Sequence, residues 1–470
     1  MMIERFSKPM LAALIGAAFL VACSDDDTAS KSQEDNQKEA FESEYKAHEY
    51  HPVLIKNATV LTATGDKIEQ GKVLFSDGKI VAVGEEVEIP DDDNLEVIDA
   101  VGKWVTPGLI DVHSHLGVYP APSVASSADG NEMTSPVTAD VWAEHSVWPQ
   151  DPQFQLALAG GVTSLQILPG SANLVGGRGV TLKNVPGRSV MEMKFPGAPY
   201  GLKMACGENP KRVYGEKGMA PMTRMGNVAG YRKSWIDAKE YMNKWDDYEA
   251  GKGNGQPPKR DLRLESLAGV LRGEILIQNH CYRADEMLVM MEIANEFGFK
   301  VTTFHHAVES YKIADKLAEN DVCSAMWSDW WGFKQEAYDM VESNVALVDK
   351  AGACAVVHSD SATVIQHLNK EAAKAMTSGN RLGMDIAPAH AIKWITLNAA
   401  KAIGVDDMTG SLEEGKMADI VLWDGNPFSV YTKAEKVYVD GALMFDRNND
   451  KFQPASDFEL GIIEPEENRL

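Results

Sequence analysis

The chain has 470 residues, 44% of them apolar and 24% charged, which describes a globular protein with room for one large domain and a smaller one. Its net charge of −24 argues against nucleic acid as a partner, because phosphate recognition needs clustered Lys and Arg, and it favours solubility.

Arg5 and Lys8 precede an apolar stretch, Met10–Leu20, that is too short to span a bilayer. The stretch ends in Leu20-Val21-Ala22-Cys23, which resembles a bacterial lipobox. Residues 1–22 therefore read as a signal peptide and Cys23 as the lipidated residue. Residues 23–51 are polar and acidic and read as a disordered tether. Ser24 after the cysteine implies the cell envelope, at the outer membrane facing the periplasm, with membrane contact through the lipid anchor only. Cys206, Cys281, Cys323 and Cys354 are widely spread without a CxxC, so the expectation is small buried thiols rather than a disulfide framework.

Between Val53 and Val105 short apolar or alternating runs, such as Gly71–Phe75 and Lys79–Gly84, are separated by turn signals such as Asp77-Gly78. After Asp111 the pattern changes. Candidate strands at 164–168, 202–206, 275–279, 301–304, 323–327 and 353–357 alternate with helical stretches at 284–297, 310–320, 334–350 and 387–403. That repetition predicts an α/β fold, a parallel sheet or (β/α)₈ TIM-like barrel over 107–404. Gly251–Pro258 reads as an exposed loop. Strand-like character returns at 419–423 and 436–441, so residues 52–106 and 405–470 are expected to form a small composite β-sandwich domain from both ends.

His113-Ser114-His115 follows a buried-strand pattern. On a strand, residues i and i+2 share a face, roughly 6–7 Å apart, so both imidazoles can reach one metal ion. His280, His305, His306, Asp360 and Glu208 each close or follow another predicted strand. Barrel strands converge at their C-terminal ends, which would bring these ligands to one point. Histidines with carboxylates suit Zn²⁺ or another first-row divalent ion.

These motifs resemble the amidohydrolase superfamily, most closely its imidazolonepropionase-like and prolidase-like branch. The resemblance rests on Leu109–His115, Gly160–Ser164, His280–Glu286, His306–Lys312, His358-Ser359-Asp360 and the tail Gly410–Val421, and covers nearly everything after the tether. It implies that His113 and His115 bind one metal, His280 and His306 a second, and that Asp360 contacts the metal site and acts as general base. His306 is preferred over His305 because it begins the His-x-x-Glu-x-Tyr pattern, and His305 is expected beside it, towards the barrel wall. Glu208 is the expected bridging ligand, with Lys203, as a carboxylated lysine, the alternative. If neither bridges, the site holds a single ion. His358 shares the strand face with Asp360 and is a second catalytic candidate.

The implied chemistry is hydrolysis of a C–N bond in an amide, cyclic amide or Xaa-Pro-type dipeptide. A bound divalent ion lowers the pKa of water toward ~7 and polarises the carbonyl, while Asp360 moves the proton to the leaving nitrogen. The alternatives are deamination of a heterocycle at the same site, or a catalytically inactive, lipid-anchored binding protein. Arg178, Arg224 and Tyr231 are candidates for holding a substrate carboxylate. Trp327, Trp330 and Trp331 are candidates for an apolar pocket wall. The partner is a small molecule or short peptide, and relatives that associate imply a homo-oligomer.

Overall fold

Runs of buried Val, Ile and Leu become strands in two sheets, which a computed structural model describes for residues 41–252 and 255–452. The signal segment, Cys23 and most of the tether lie outside the described residues, as do residues 453–470. No helix among the described residues is long and apolar enough to cross a membrane.

The barrel sheet holds β6 (Leu109–Ser114), β7 (Val162–Ile167), β8 (Val175–Lys183), β9 (Tyr200–Ala205), β10 (Ile275–Cys281), β11 (Val301–His306), β12 (Cys323–Met326) and β13 (Cys354–Val357), hydrogen-bonded in chain order. Strands β6, β7 and β12 are buried along their whole length, as expected where both faces are covered. One feature departs from a fully parallel barrel: β8 runs antiparallel to both β7 and β9. The link from β7 to β8 is residues 168–174, too short for the crossover helix that a parallel neighbour needs. The sheet is nearly closed. Across the seam between β13 and β6, Asp360 N–H donates to the His113 carbonyl at 3.0 Å, and Ser359 N–H donates to Asp111 Oδ1 at 3.1 Å.

The helix Leu397–Ile403 packs against β6, β11, β12 and β13. Its Ala399, Ala400, Ala402 and Ile403 share one apolar cluster with Ile110, Val112, Ala325 and Val356. Of the expected helices, Ala284–Phe297 is present as read, ended by Gly298 in the left-handed region (φ +84°). The expected helix at 334–350 is instead a short 3₁₀ turn and a helix at Asn344–Lys350. The long helix Arg224–Glu249 was not anticipated, because its apolar positions form no sharp stripe.

The second sheet takes strands from both ends of the chain, as β1 (Val53–Leu61), β2 (Lys67–Ser76), β3 (Lys79–Gly84), β4 (Glu96–Asp99), β5 (Trp104–Pro107), β14 (Ile420–Trp423), β15 (Ala434–Val439) and β16 (Ala442–Asp446). Its order is β16-β15-β14-β5-β1-β2-β3, with β4 beside β1. A buried ionic knot ties it to the barrel. Lys183 of β8 meets Asp419 at 2.9 Å and Asp440 at 3.0 Å, and the Thr409 hydroxyl donates to Asp419 at 2.7 Å.

The expectation of four free thiols is corrected. Cys206 is bonded to Cys281 and Cys323 to Cys354. The partners are 75 and 31 residues apart in sequence, which hides the pairing. Sheet neighbourhood creates it: Cys323 is directly opposite Cys354, and Cys206 N–H bonds the carbonyl of His280, next to Cys281.

Candidate active site

The C-terminal ends of β6, β9, β10, β11 and β13 deliver one buried polar cluster. Asp360 sits at its centre, with Oδ1 3.2 Å from His115 Nε2 and 3.6 Å from His113 Nε2, and Oδ2 3.8 Å from His306 Nδ1. The His280 ring centroid lies 4.5 Å from that of His306. His358 Nε2 stands 3.1 Å from His306 Nδ1. Lys203 Nζ is 3.2 Å from His113 Nε2 and fully buried. Among the described residues, two triads have ligand atoms within 4.8 Å of one another: His113, His306 and Asp360, and His113, His305 and His358.

Backbone conformation sets these directions. His306 (φ +69°), Ala307 (φ +33°) and Asp360 (φ +49°) occupy the left-handed region that non-glycine residues avoid. Such conformations persist where the surroundings enforce them, often at functional sites. Asp111 helps do so. Its carboxylate accepts from the backbone of His113 and Ser359 and from the Ser359 hydroxyl, so one buried side chain orients both the His113 and the Asp360 turns. The sequence reading missed this role, although Asp111 lies two residues before His113.

Burial pushes the imidazoles of His113, His280, His305 and His306 well below their usual range, and His358 down to about 4. Neutral imidazoles are the form that binds metal. Burial lowers Lys203 to about 7, so its neutral amine is accessible near physiological pH. For Asp360 burial acts upward, but the hydrogen bond from His115 holds the carboxyl below its usual range. Burial pushes Asp111 up to about 7 against its three hydrogen bonds.

The donor set fits a divalent ion. Both ring nitrogens of His280 are buried without a hydrogen-bond partner, as is His358 Nδ1. Unpaired buried nitrogen is costly unless something is there to bind it.

Other predicted site residues lie elsewhere. Glu208 begins a helix at the rim, where its carboxylate is 3.6 Å from Lys334 Nζ, and it is absent from both triads. The bridging expectation is therefore not supported by its position, whereas Lys203 faces His113. His305 points into the barrel rather than towards its wall, with Nδ1 3.0 Å from His113 Nδ1 and Nε2 2.7 Å from Gln278 Oε1. Tyr231 is a core residue whose hydroxyl donates to the Ala205 carbonyl. Arg178 lies over the Trp142 ring and donates to Ser266 at 2.8 Å. Arg224 is held between Glu286 and Glu336.

An aromatic wall rises beside the cluster. Trp327 and Tyr282 both stack on His306, Trp330 stacks on Trp327, and Lys334 Nζ lies 3.8 Å above Tyr282. Trp331 is 59% exposed and shows no ring contact with His306. Tyr282 was missed in the sequence, although it follows His280 by two residues.

An α/β barrel that gathers histidines, an aspartate and a buried lysine at its strand C-termini defines a hydrolytic site class. Residues 282–454 match the model of the amidohydrolase family. A solved amidohydrolase from Thermotoga maritima is 39% identical, covers 84% of this chain and 100% of its own, and superposes with a TM-score of 0.76. The amidohydrolase tasK of Hapsidospora irregularis is 32% identical over 84% of this chain, which spans only 43% of that relative's length. An imidazolonepropionase of Pseudomonas aeruginosa is 24% identical over 79% of this chain and 92% of its own. The chain belongs to the amidohydrolase superfamily and is an enzyme, a hydrolase of C–N bonds.

Proposed function

We propose that this enzyme is a metal-dependent amidohydrolase that cleaves an amide, a cyclic amide or an Xaa-Pro-type dipeptide. The observation that carries the reading is Asp360, whose carboxylate faces His113, His115 and His306 at once. His113, His115, His280 and His306 would hold the ion, with Asp360 contacting it. The ion would supply water activation and carbonyl polarisation. Lys203 is a better bridging candidate than Glu208. Its neutral amine can form an Nζ–C bond with CO₂ and lose a proton, which places a carboxylate beside His113. Asp360, held ionised at neutral pH, accepts the proton of the attacking water and passes it to the leaving nitrogen. His358 is buried and neutral and packs against His306, a positioning role rather than a proton carrier. Trp327, Trp330 and Tyr282 line the substrate side of the site.

The same proposal keeps the cell-envelope location, anchored through Cys23. Two disulfides support it, since such bonds persist in oxidising compartments. The test is to strip metal with a chelator, verify its removal, and assay dipeptides and lactams before and after adding Zn²⁺. Activity that is lost and then restored supports the proposal, and activity unchanged after verified removal refutes it. Ammonia released from an amino-substituted heterocycle, with the ring left intact, would identify a deaminase instead.

A further inference from the structure

We propose that Gln278 and His305 form a positioning relay that holds His113 in the tautomer with its Nδ1 protonated and its Nε2 lone pair turned to the site. The proposal rests on the reading of His113 as a ligand, and reaches beyond it to two residues outside the proposed ligand set.

The relay starts at the carbonyl of Ala402, in the last turn of the helix Leu397–Ile403, where carbonyls lack intrahelical partners. A carbonyl can only accept. Gln278 therefore turns its amide nitrogen to Ala402 O, at 2.9 Å, and the Thr303 hydroxyl adds a second bond at 3.1 Å. With the amide thus oriented, Gln278 Oε1 faces His305 Nε2 at 2.7 Å and can only accept from it. His305 carries its proton on Nε2, and as a neutral ring presents a bare Nδ1. That nitrogen lies 3.0 Å from His113 Nδ1, which must then be the donor. His113 is left with a free lone pair on Nε2, the atom facing Lys203 at 3.2 Å and Asp360 at 3.6 Å. All three side chains in the relay are fully buried. Partners of this kind fix ring orientation and raise ligand basicity, and their loss typically weakens metal binding by about 10–100-fold.

The test compares His305→Leu, His305→Asn and Gln278→Leu in the full chain, with Zn²⁺ alone as the probe in chelator competition. Asn places an accepting Oδ1 where the His Nδ1 stood, whereas Leu keeps bulk and removes the acceptor. The relay predicts Zn²⁺ binding weakened about 10–100-fold in His305→Leu and Gln278→Leu, and within about threefold of wild type in His305→Asn. A purely packing role predicts the reverse order, because Asn fills the space less well than Leu. Either that reversal or wild-type affinity in His305→Leu overturns the relay. A second measurement needs no variant to fold: ¹⁵N spectra of the metal-stripped wild-type chain, labelled at histidine, should show His113 protonated at Nδ1. Protonation at Nε2 overturns the proposal. Wild-type protein that binds no Zn²⁺ would refute the metal reading, while the tautomer measurement would still decide the relay.

Discussion

Asp360 and Lys203 carry opposite electrostatic burdens in the same buried space. Asp360 is held ionised by His115, and its replacement by Asn keeps the shape while removing the proton acceptor. Turnover should fall by about 10²–10⁴-fold with little change in thermal unfolding, measured by steady-state kinetics beside a melting curve. Lys203, lowered to about 7 by burial, is mostly protonated below that pH and mostly neutral above it. Only the neutral amine takes up CO₂. Metal uptake by stripped protein in bicarbonate should therefore rise between about pH 6 and pH 8, and Lys203→Ala should abolish the rise. Glu208→Gln provides the contrast. The carboxylate pairs with Lys334 at the rim, so bound metal per chain should be unchanged and stability should move by less than about 1 kcal/mol.

At the scale of elements, the two disulfides occupy opposite ends of the barrel strands. Cys206–Cys281 joins the C-terminal ends of β9 and β10, which carry Lys203 and His280, whereas Cys323–Cys354 joins the starts of β12 and β13. Removing either bond by paired Cys→Ala replacement should cost about 2–4 kcal/mol in thermal unfolding. Only loss of Cys206–Cys281 should also weaken metal retention under chelation, because only that bond clamps site strands. Equal metal retention in both variants would separate the disulfide from the site. The antiparallel β8 has its own logic: the short link after β7 leaves no length for a helix, so the chain must turn back beside it.

For the molecule as a whole, Lys183, Asp419 and Asp440 join the barrel to the terminal sheet in the dry interior. Asp419→Ala leaves Lys183 with Asp440 as its one partner and strips the Thr409 hydroxyl and the Asp440 N–H of their acceptor, so unfolding stability should fall by about 1–3 kcal/mol, read from denaturant curves. That residue belongs to the Gly410–Val421 tail that carried part of the family resemblance. Its place in the structure gives that stretch a physical task far from catalysis.

Much of this architecture was legible in the chain itself. Apolar runs and strand-end histidines foretold a barrel with a metal-type cluster, because strand periodicity and burial are local properties written residue by residue. The strand ends that bring His113, His115, His280, His306 and Asp360 together were legible this way. What distance in sequence conceals needed the tertiary structure. Glu208 looked like a ligand by position in the chain, yet its helix carries it to the rim, while Lys203 points inward from the C-terminal half of β9. Four scattered cysteines became two bonds only once their strands lay side by side. Gln278 shows no signal in the sequence, and Asp111 none beyond its place two residues before His113, because a hydrogen-bond partner is chosen by proximity in space, and only folding supplies it.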